Sequence, residues 1–454
     1  MTATVRTRPR PYQNYVYGYP HKTAYRPLPD RRSLREVWAG EPVDALSLYA
    51  HIPFCEFRCG FCNLFTRIGA PGELTTRYLD ALDRQAVAVR AALGDRPIRF
   101  AATAFGGGTP TYLSAAELER LCDIAERRMG ADLRATPLSV ETSPGTATAD
   151  RLAVLAERGA TRISIGVQSF VPAEARSAVR PQDRAEVDAA LGRIRAAEIP
   201  ILNIDLIYGI EGQTERSWRY SLDAALAWQP EELYLYPLYV RPLTGLGRSS
   251  SPRPAAEAET AWDAQRMRLY AFGRDHLLAA GYEQVSMRMF RRPHTGHGLP
   301  GSEFADYACQ TDGMVGLGCG ARSYTAGLHY SFDYAVDMRE VRGIIDTYTR
   351  TADFTHPHVG HRIDGDEARR RHLLQSLLRA EGMDLTAYRD RFGAYPREHF
   401  PAEFAEFEDL GWLDPDSGPE LLRLSPAGLS YSDALGPRLF SPAVRAAMAA
   451  YEPR

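Results

Sequence analysis

The chain has 454 residues, about three times a common domain length, which leaves room for one large barrel with appendages or for two to three domains. Apolar residues make up 44% and charged residues 24%, ordinary globular usage, and no stretch approaches the about 18 uncharged apolar residues of a membrane helix, so a spanning protein is excluded. The net charge of −3 comes without a basic block that could follow a phosphate backbone, which argues against nucleic acid as a partner.

Residues 1–45 are rich in Arg, Pro and Tyr without periodicity and read as an N-terminal arm lying over the main body or partly disordered. They lack the apolar region of a secretory signal, so a cytoplasmic location is the expectation. Lys22 is the single lysine and lies in this arm, which leaves no residue for a Schiff base, a pyridoxal phosphate enzyme or a phosphate-loop lysine.

From residue 46 short β-prone runs alternate with amphipathic ones. ALSLYAHI (45–52), IRFAATAF (98–105), LSVET (138–142), ISIGV (163–167), ILNIDLIYG (201–209) and ELYLYPLYV (232–240) read as strands. Between them 74–93, 114–130, 148–158, 182–196 and 215–228 read as helices. Strand and helix in alternation predict a parallel sheet with crossover helices over 46–250, closed as a partial or full barrel whose chemistry sits after the strand C-termini. SSSPRPAAEAE reads as a linker, and 255–454 as a second, mainly helical C-terminal domain. That domain opens with a helix over about 256–280 and the strand-like GYEQVSMRMF (281–290), and it ends in a small winged-helix-like unit. The acidic composition of this unit favours a structural or lid role over DNA binding.

Three of the six cysteines, Cys55, Cys59 and Cys62, are spaced C-x3-C-x2-C after the first strand. Three thiolates on one short loop suit three irons of a cubane cluster and leave the fourth iron open to a chelating small molecule. A zinc knuckle would need a fourth ligand, for which His51 is the nearby candidate. Cys122 lies in a helical pattern and reads as a small buried hydrophobe, while Cys309 and Cys319 read as packing residues near the expected cavity. Met287 and Met289 read as cavity lining.

The cysteine loop resembles that of radical S-adenosylmethionine (radical SAM) enzymes. HIPFC with CGFC, GGGTPTYL (106–113), ETSPGT (141–146), RISIGVQSF (162–170) and DLIYGIEGQT (205–214) are together similar to the oxygen-independent coproporphyrinogen III oxidase-like (HemN-like) family. The similarity is dense over about 45–245 and weaker over 255–450. It implies a partial (β/α)6 barrel, a [4Fe–4S] cluster on Cys55, Cys59 and Cys62, and SAM on the open iron. It further implies cofactor contacts from Tyr49, Gly107 and Glu141, and a second SAM beside Phe61, Gly108, Thr109, Gln168, Arg180 and Asp205. A small-molecule substrate and a reductant such as a flavodoxin or ferredoxin follow as partners. No Ser-His-Asp or paired-carboxylate constellation is expected, because the cofactor carries the hard step.

Two departures from the family pattern stand out. Leu64 replaces a cysteine that coproporphyrinogen oxidases carry two residues after the last cluster ligand, and Arg288-Met289 stands where they have Asp-His. These departures count against the porphyrin substrate, and with Gln168, Arg180 and Asp205 retained they place first a reading as a class C radical SAM methyltransferase, with the second SAM as methyl or methylene donor to an sp2 carbon of a natural product. Behind it stand coproporphyrinogen dehydrogenation, by oxidative decarboxylation of propionates, and a haem-binding chaperone without turnover. For the last, scattered histidines (His294, His297, His356, His358, His361) offer no compelling ligand pair.

Overall fold

The computed structural model describes residues 9–16, 18–30, 32–249, 256–293, 295, 310 and 313–454. Two compact units form, each from several stretches of chain: Tyr25–Pro252 with Arg292–Ile363 and Glu452–Arg454, and Met1–Ala24 with Arg253–Arg291 and Asp364–Tyr451.

The first unit is built on one sheet. Its strands are β1 (Arg26–Pro27), β2 (Leu46–Ile52), β5 (Phe100–Gly107), β6 (Leu138–Thr142), β7 (Ala160–Gln168), β8 (Ile201–Tyr208), β9 (Glu232–Pro237), β10 (Met314–Leu317), β11 (Arg322–Tyr324), β12 (Leu328–Ser331) and β13 (Val359–Arg362), with the short pair β3 (Phe54–Cys55) and β4 (Arg67–Ile68) beside it. Within this unit the order is β1-β13-β12-β11-β10-β2-β5-β6-β7-β8-β9. The run β2-β5-β6-β7-β8-β9 is parallel throughout and is the expected six-stranded α/β barrel sheet. Its strands are buried on both faces, as parallel strands between helices are: every residue of Ile201–Tyr208 is buried except Asp205. Crossover helices Gly72–Ala92, Ala115–Asp123, Ala149–Glu157, Arg184–Ala196 and Glu215–Leu226 fall within a few residues of the predicted ones. Capping boxes at Ser114–Glu117 and Thr214–Ser217 start two of them. The predicted helix 114–130 is not uniform, since Ile124–Met129 widens to a π-helix that ends on Gly130 in the left-handed region.

The chain changes unit at Pro252/Arg253, close to the predicted linker, but Arg292–Ile363 returns to the barrel unit. There β10 pairs parallel with β2, Gly316 opposite Tyr49, and β11 to β13 continue antiparallel. Gly316 is required at the β10–β11 crossing, since a Cβ would lie 2.2 Å from the Arg322 carbonyl oxygen.

The second unit gathers the helix Ala256–Ala279, the hairpin Glu283–Gln284/Met289–Arg291 and the helices from Gly365 onward, with a two-stranded pairing of Met383–Asp384 and Leu421–Leu422. The arm does not merely lie over the body. Tyr19 is 1% exposed, packs tilted against Phe440 with ring centres 5.2 Å apart and accepts a 3.1 Å hydrogen bond from the Ser441 amide, while its hydroxyl donates to Glu367. The Arg266 guanidinium sits between the Tyr12 and Trp262 rings, at 4.3 and 3.7 Å, and pairs with Asp263. Residues 25–38 behave differently and join the barrel unit, Trp38 donating to the Tyr330 hydroxyl at 2.9 Å. No helix among the described residues is long and apolar enough to cross a membrane.

Candidate functional site

Parallel register collects the site. On adjacent strands Tyr49 lies opposite Ala104, Glu141 opposite Ser164, Gly166 opposite Asp205, and Asp205 opposite Tyr234. Of these, Glu141, Gly166 and Asp205 lie in the C-terminal halves of their strands, the end at which a parallel α/β sheet holds its chemistry.

The cysteine loop leaves β2 through Pro53, and its three sulfurs each meet a different side chain. Thr109 Oγ1 donates to Cys55 Sγ at 3.5 Å, Arg180 Nη1 to Cys59 Sγ at 3.0 Å, and Cys62 Sγ lies 3.9 Å from Thr66 Oγ1. All three thiols are free and half-buried, and burial pushes that of Cys55 up to about 12. Among the described residues no three His, Cys, Asp or Glu side chains converge on one point as a single metal ion requires; cluster thiolates sit on separate irons and need no such point. The loop is clamped at Gly60, whose N–H donates to the Ala178 carbonyl (3.0 Å) and whose carbonyl accepts from Leu246 (2.7 Å). Arg58 donates to the Val336 carbonyl at 2.6 Å and fixes the loop from another side.

The glycine run forms a close-fitting cradle. A Cβ on Gly106 would touch the Glu141 carboxylate at 3.0 Å, one on Gly107 would strike His51 at 2.4 Å, and one on Gly108 would lie 3.0 Å from Cys55 Sγ. Gly107, at φ +113, donates its N–H to Glu141 Oε2 at 3.0 Å. Glu141 is exposed near the end of β6, although its carboxylate is surrounded by neighbouring strands. Burial raises its pKa, the Gly107 N–H opposes the rise, and the charge of Asp205 adds to it. Asp205 accepts from Asn203 Nδ2 at 2.8 Å and Ser164 Oγ at 3.3 Å, and burial raises its pKa too.

Gln168 ends β7 at φ +69, where the β7–β8 register shifts past Gly166, so a bulge re-aims its side chain. Phe61 is half-buried in the loop. The structure thus brings together Cys55, Cys59, Cys62, Gly107, Gly108, Thr109, Glu141 and Arg180, and places Tyr49, Gln168 and Asp205 on the strands around them. Two further groups border this site: His51, which the sequence offered only as a fourth ligand for zinc, and Arg162, which it did not single out. His51, held between Tyr49 OH (3.2 Å) and the Phe65 carbonyl (3.0 Å), is packed against Gly107 and Gly320. Arg162 donates to Glu232 Oε2 at 2.6 Å and to Ser139 Oγ at 3.1 Å across the strands beneath Asp205. A signal for the first existed in the glycines of GLGCG; for the second there was none, because its partner is 70 residues away.

Other expected roles resolve simply. Cys122 is buried in its helix, with a thiol pushed up to about 12 by burial, and Cys319 is buried with its thiol 3.8 Å from the Tyr78 hydroxyl. Met287 and Met289 are buried, and Arg288 is committed within its own unit to an ion pair with Asp433 and to the face of Tyr15 at 3.9 Å. The His358 ring lies 4.2 Å from that of Phe332 in a tilted contact, and His361 pairs across strands with His329. Cys309, His294 and His297 lie outside the described residues.

The Radical SAM superfamily model matches residues 49–225. The oxygen-independent coproporphyrinogen III oxidase of Paracoccus denitrificans is 32% identical over 320 residues, covering 67% of this chain and 68% of the relative. The chain belongs to the HemN-like radical SAM family. The family also holds haem chaperones: Heme chaperone HemW of Escherichia coli is 32% identical over 286 residues, covering 61% of this chain and 69% of the chaperone. The coproporphyrinogen III oxidase HemN of Escherichia coli superposes with a TM-score of 0.78 at 22% identity, covering 94% of this chain and 96% of that one, so the fold is shared across almost the whole length. The chain is accordingly a radical SAM enzyme with an α/β barrel and a helical C-terminal region, for which the family implies a [4Fe–4S] cluster and SAM. These relatives correct the expectation of a natural-product methyltransferase: at comparable identity they are oxidases and haem chaperones, and Arg288, which had suggested a re-lined pocket, is engaged in an internal ion pair.

Proposed function

We propose that the chain is an oxygen-independent oxidase of a coproporphyrinogen-like tetrapyrrole, acting in the cytoplasm on propionate side chains, whose carboxyl groups leave as CO2 while the remaining two carbons stay on the ring as vinyl groups. The observation that carries this reading is the C-x3-C-x2-C loop with a separate donor or hydroxyl at each sulfur, in a chain whose oxidase relative matches two thirds of its length. Cys55, Cys59 and Cys62 hold the cluster; three half-buried free thiols on one short loop, with a hydroxyl or guanidinium at each sulfur, support this donor set. A cluster held there would supply the one-electron reduction that splits SAM, with the electron drawn from a flavodoxin- or ferredoxin-type donor. Tyr49, Gly107 and Glu141 orient that SAM, Glu141 accepting from its ammonium or ribose hydroxyls while the Gly107 N–H fixes the carboxylate. Phe61, Gly108, Thr109, Gln168, Arg180 and Asp205 border a place for a second SAM. Anaerobic reconstitution with iron and sulfide, then SAM, dithionite and coproporphyrinogen III, is expected to give 5′-deoxyadenosine together with CO2. An intact cluster that binds haem and yields neither product would replace this reading by the chaperone one, which the HemW likeness and Leu64 favour.

Two expected outcomes test the cofactor residues. Asp205→Asn is expected to lower the stoichiometry of SAM binding from two per chain to one and to leave 5′-deoxyadenosine formation largely intact; an unchanged stoichiometry in equilibrium dialysis would remove Asp205 from the second site. Because Glu141 binds a cationic partner as the carboxylate and its pKa is raised, SAM affinity is expected to fall as pH drops through a range above the ordinary carboxylate value of about 4. Glu141→Gln is expected to weaken binding at every pH and to flatten this dependence, and a profile identical to the parent's would refute the assignment.

A further inference from the structure

The three loop thiols are not equivalent. Cys55 meets a threonine hydroxyl and Cys62 another, whereas Cys59 alone accepts from a guanidinium, Arg180 Nη1 at 3.0 Å. Other contacts hold that guanidinium in place. Arg180 is 6% exposed; its Nε donates to Gln182 Oε1 at 2.6 Å, its Nη2 donates to the Gly166 carbonyl, and its Cζ stands 5.4 Å from the Phe57 ring centre. The turn that aims it is strained, since Val179 is β-branched and sits at φ +52. That turn is packed on the loop itself. A Cβ on Gly60 would lie 2.8 Å from Val179 Cγ2, and the Gly60 N–H donates to Ala178. Loop and arginine therefore form one piece.

We propose that Arg180 is a positioning residue that tunes the cluster through Cys59, raising its reduction potential so that a cytoplasmic one-electron donor can reduce it. The inference rests on the reading of Cys59 as a cluster ligand. A charged hydrogen bond to a thiolate draws electron density from sulfur and favours the reduced, more negative cluster. The added electron comes from the external donor, and no covalent bond changes in this step.

The test is a redox titration of the reconstituted cluster followed by electron paramagnetic resonance, without SAM, so that any contact of Arg180 with SAM plays no part. Arg180→Gln is expected to lower the ratio of reduced to oxidised cluster at fixed potential about tenfold, a shift of about 59 mV to more negative potential for one electron. Arg180→Lys, which keeps the charge, is expected to recover part of it. An Arg180→Gln cluster of normal iron content that titrates with the parent would overturn the proposal. Should Arg180→Gln fail to hold a cluster, Gln182→Leu decides: it frees the guanidinium to tilt and is expected to lower the potential, and an unchanged potential counts against the proposal. Failure of the ligand reading itself looks different, as a Cys59→Ala chain that keeps its cluster.

Discussion

Cys59→Ala is expected to leave the reconstituted chain colourless and without SAM cleavage, a loss of activity to the limit of detection. The loop offers three thiolates for three irons, and the remaining two cannot close the set, because no other described cysteine is near: Cys122 and Cys319 are buried within their own packing. The loop itself is expected to survive, since the Gly60 clamp to Ala178 and Leu246 and the Arg58 bond to Val336 are independent of the sulfur. Circular dichroism should therefore match the parent while iron content falls. Cys122→Ala is the control, expected to change neither, as its thiol is pushed up to about 12 by burial and packs in a helix. A coloured Cys59→Ala chain that still forms 5′-deoxyadenosine would end the cluster assignment.

Arg162→Ala is expected to be the most destabilising single change in the barrel, by about 3–5 kcal/mol. Arg162 and Glu232 form a bond of 2.6 Å in which the glutamate side chain is 1% exposed, joining β7 to β9 across β8. Removing the cation leaves a buried carboxylate stripped of its arginine, which costs far more than the net worth of the pair. The double change Arg162→Met with Glu232→Leu removes both charges and is expected to recover most of the loss. The urea midpoint checks both, and a single variant as stable as the parent would show that the pair carries no such weight. The arginine also counters the raised pKa values of Asp205 and Glu141, so SAM affinity should fall with it.

The residues that were legible in the sequence are those whose signal is local. LSVET reads as a strand and is one, and ILNIDLIYG differs from Ile201–Tyr208 by one residue, because a strand buried on both faces writes its apolar run directly into the chain. The site candidates drew on local signals of the same kind: Cys55, Cys59 and Cys62 on their short spacers, and Glu141 and Asp205 as the first residue of a recognisable motif each. What escaped depends on distant partners. Nothing near GLGCGARSY announces that Met314–Leu317 lies parallel beside Leu46–Ile52, so residues 292–363 read as part of the C-terminal domain. Arg288 looked like pocket lining until Asp433, 145 residues on, was seen to hold it. The left-handed backbone at Gln168 and Val179 was illegible for the opposite reason: the surrounding packing imposes it against local preference.

The arm that fills the second unit also sets a timetable for synthesis. Tyr19 docks against Ser441, 422 positions later, so at about 5–20 residues per second a ribosome needs roughly 20–80 s between making one and the other. Throughout that interval the barrel strands from Leu46 to Pro237 can pair as they emerge, while the aromatic arm waits without its socket. A nascent chain halted before Phe440 thus leaves Tyr19 without its late partners although the sheet strands are already made, an exposed aromatic that chaperones and proteases can read.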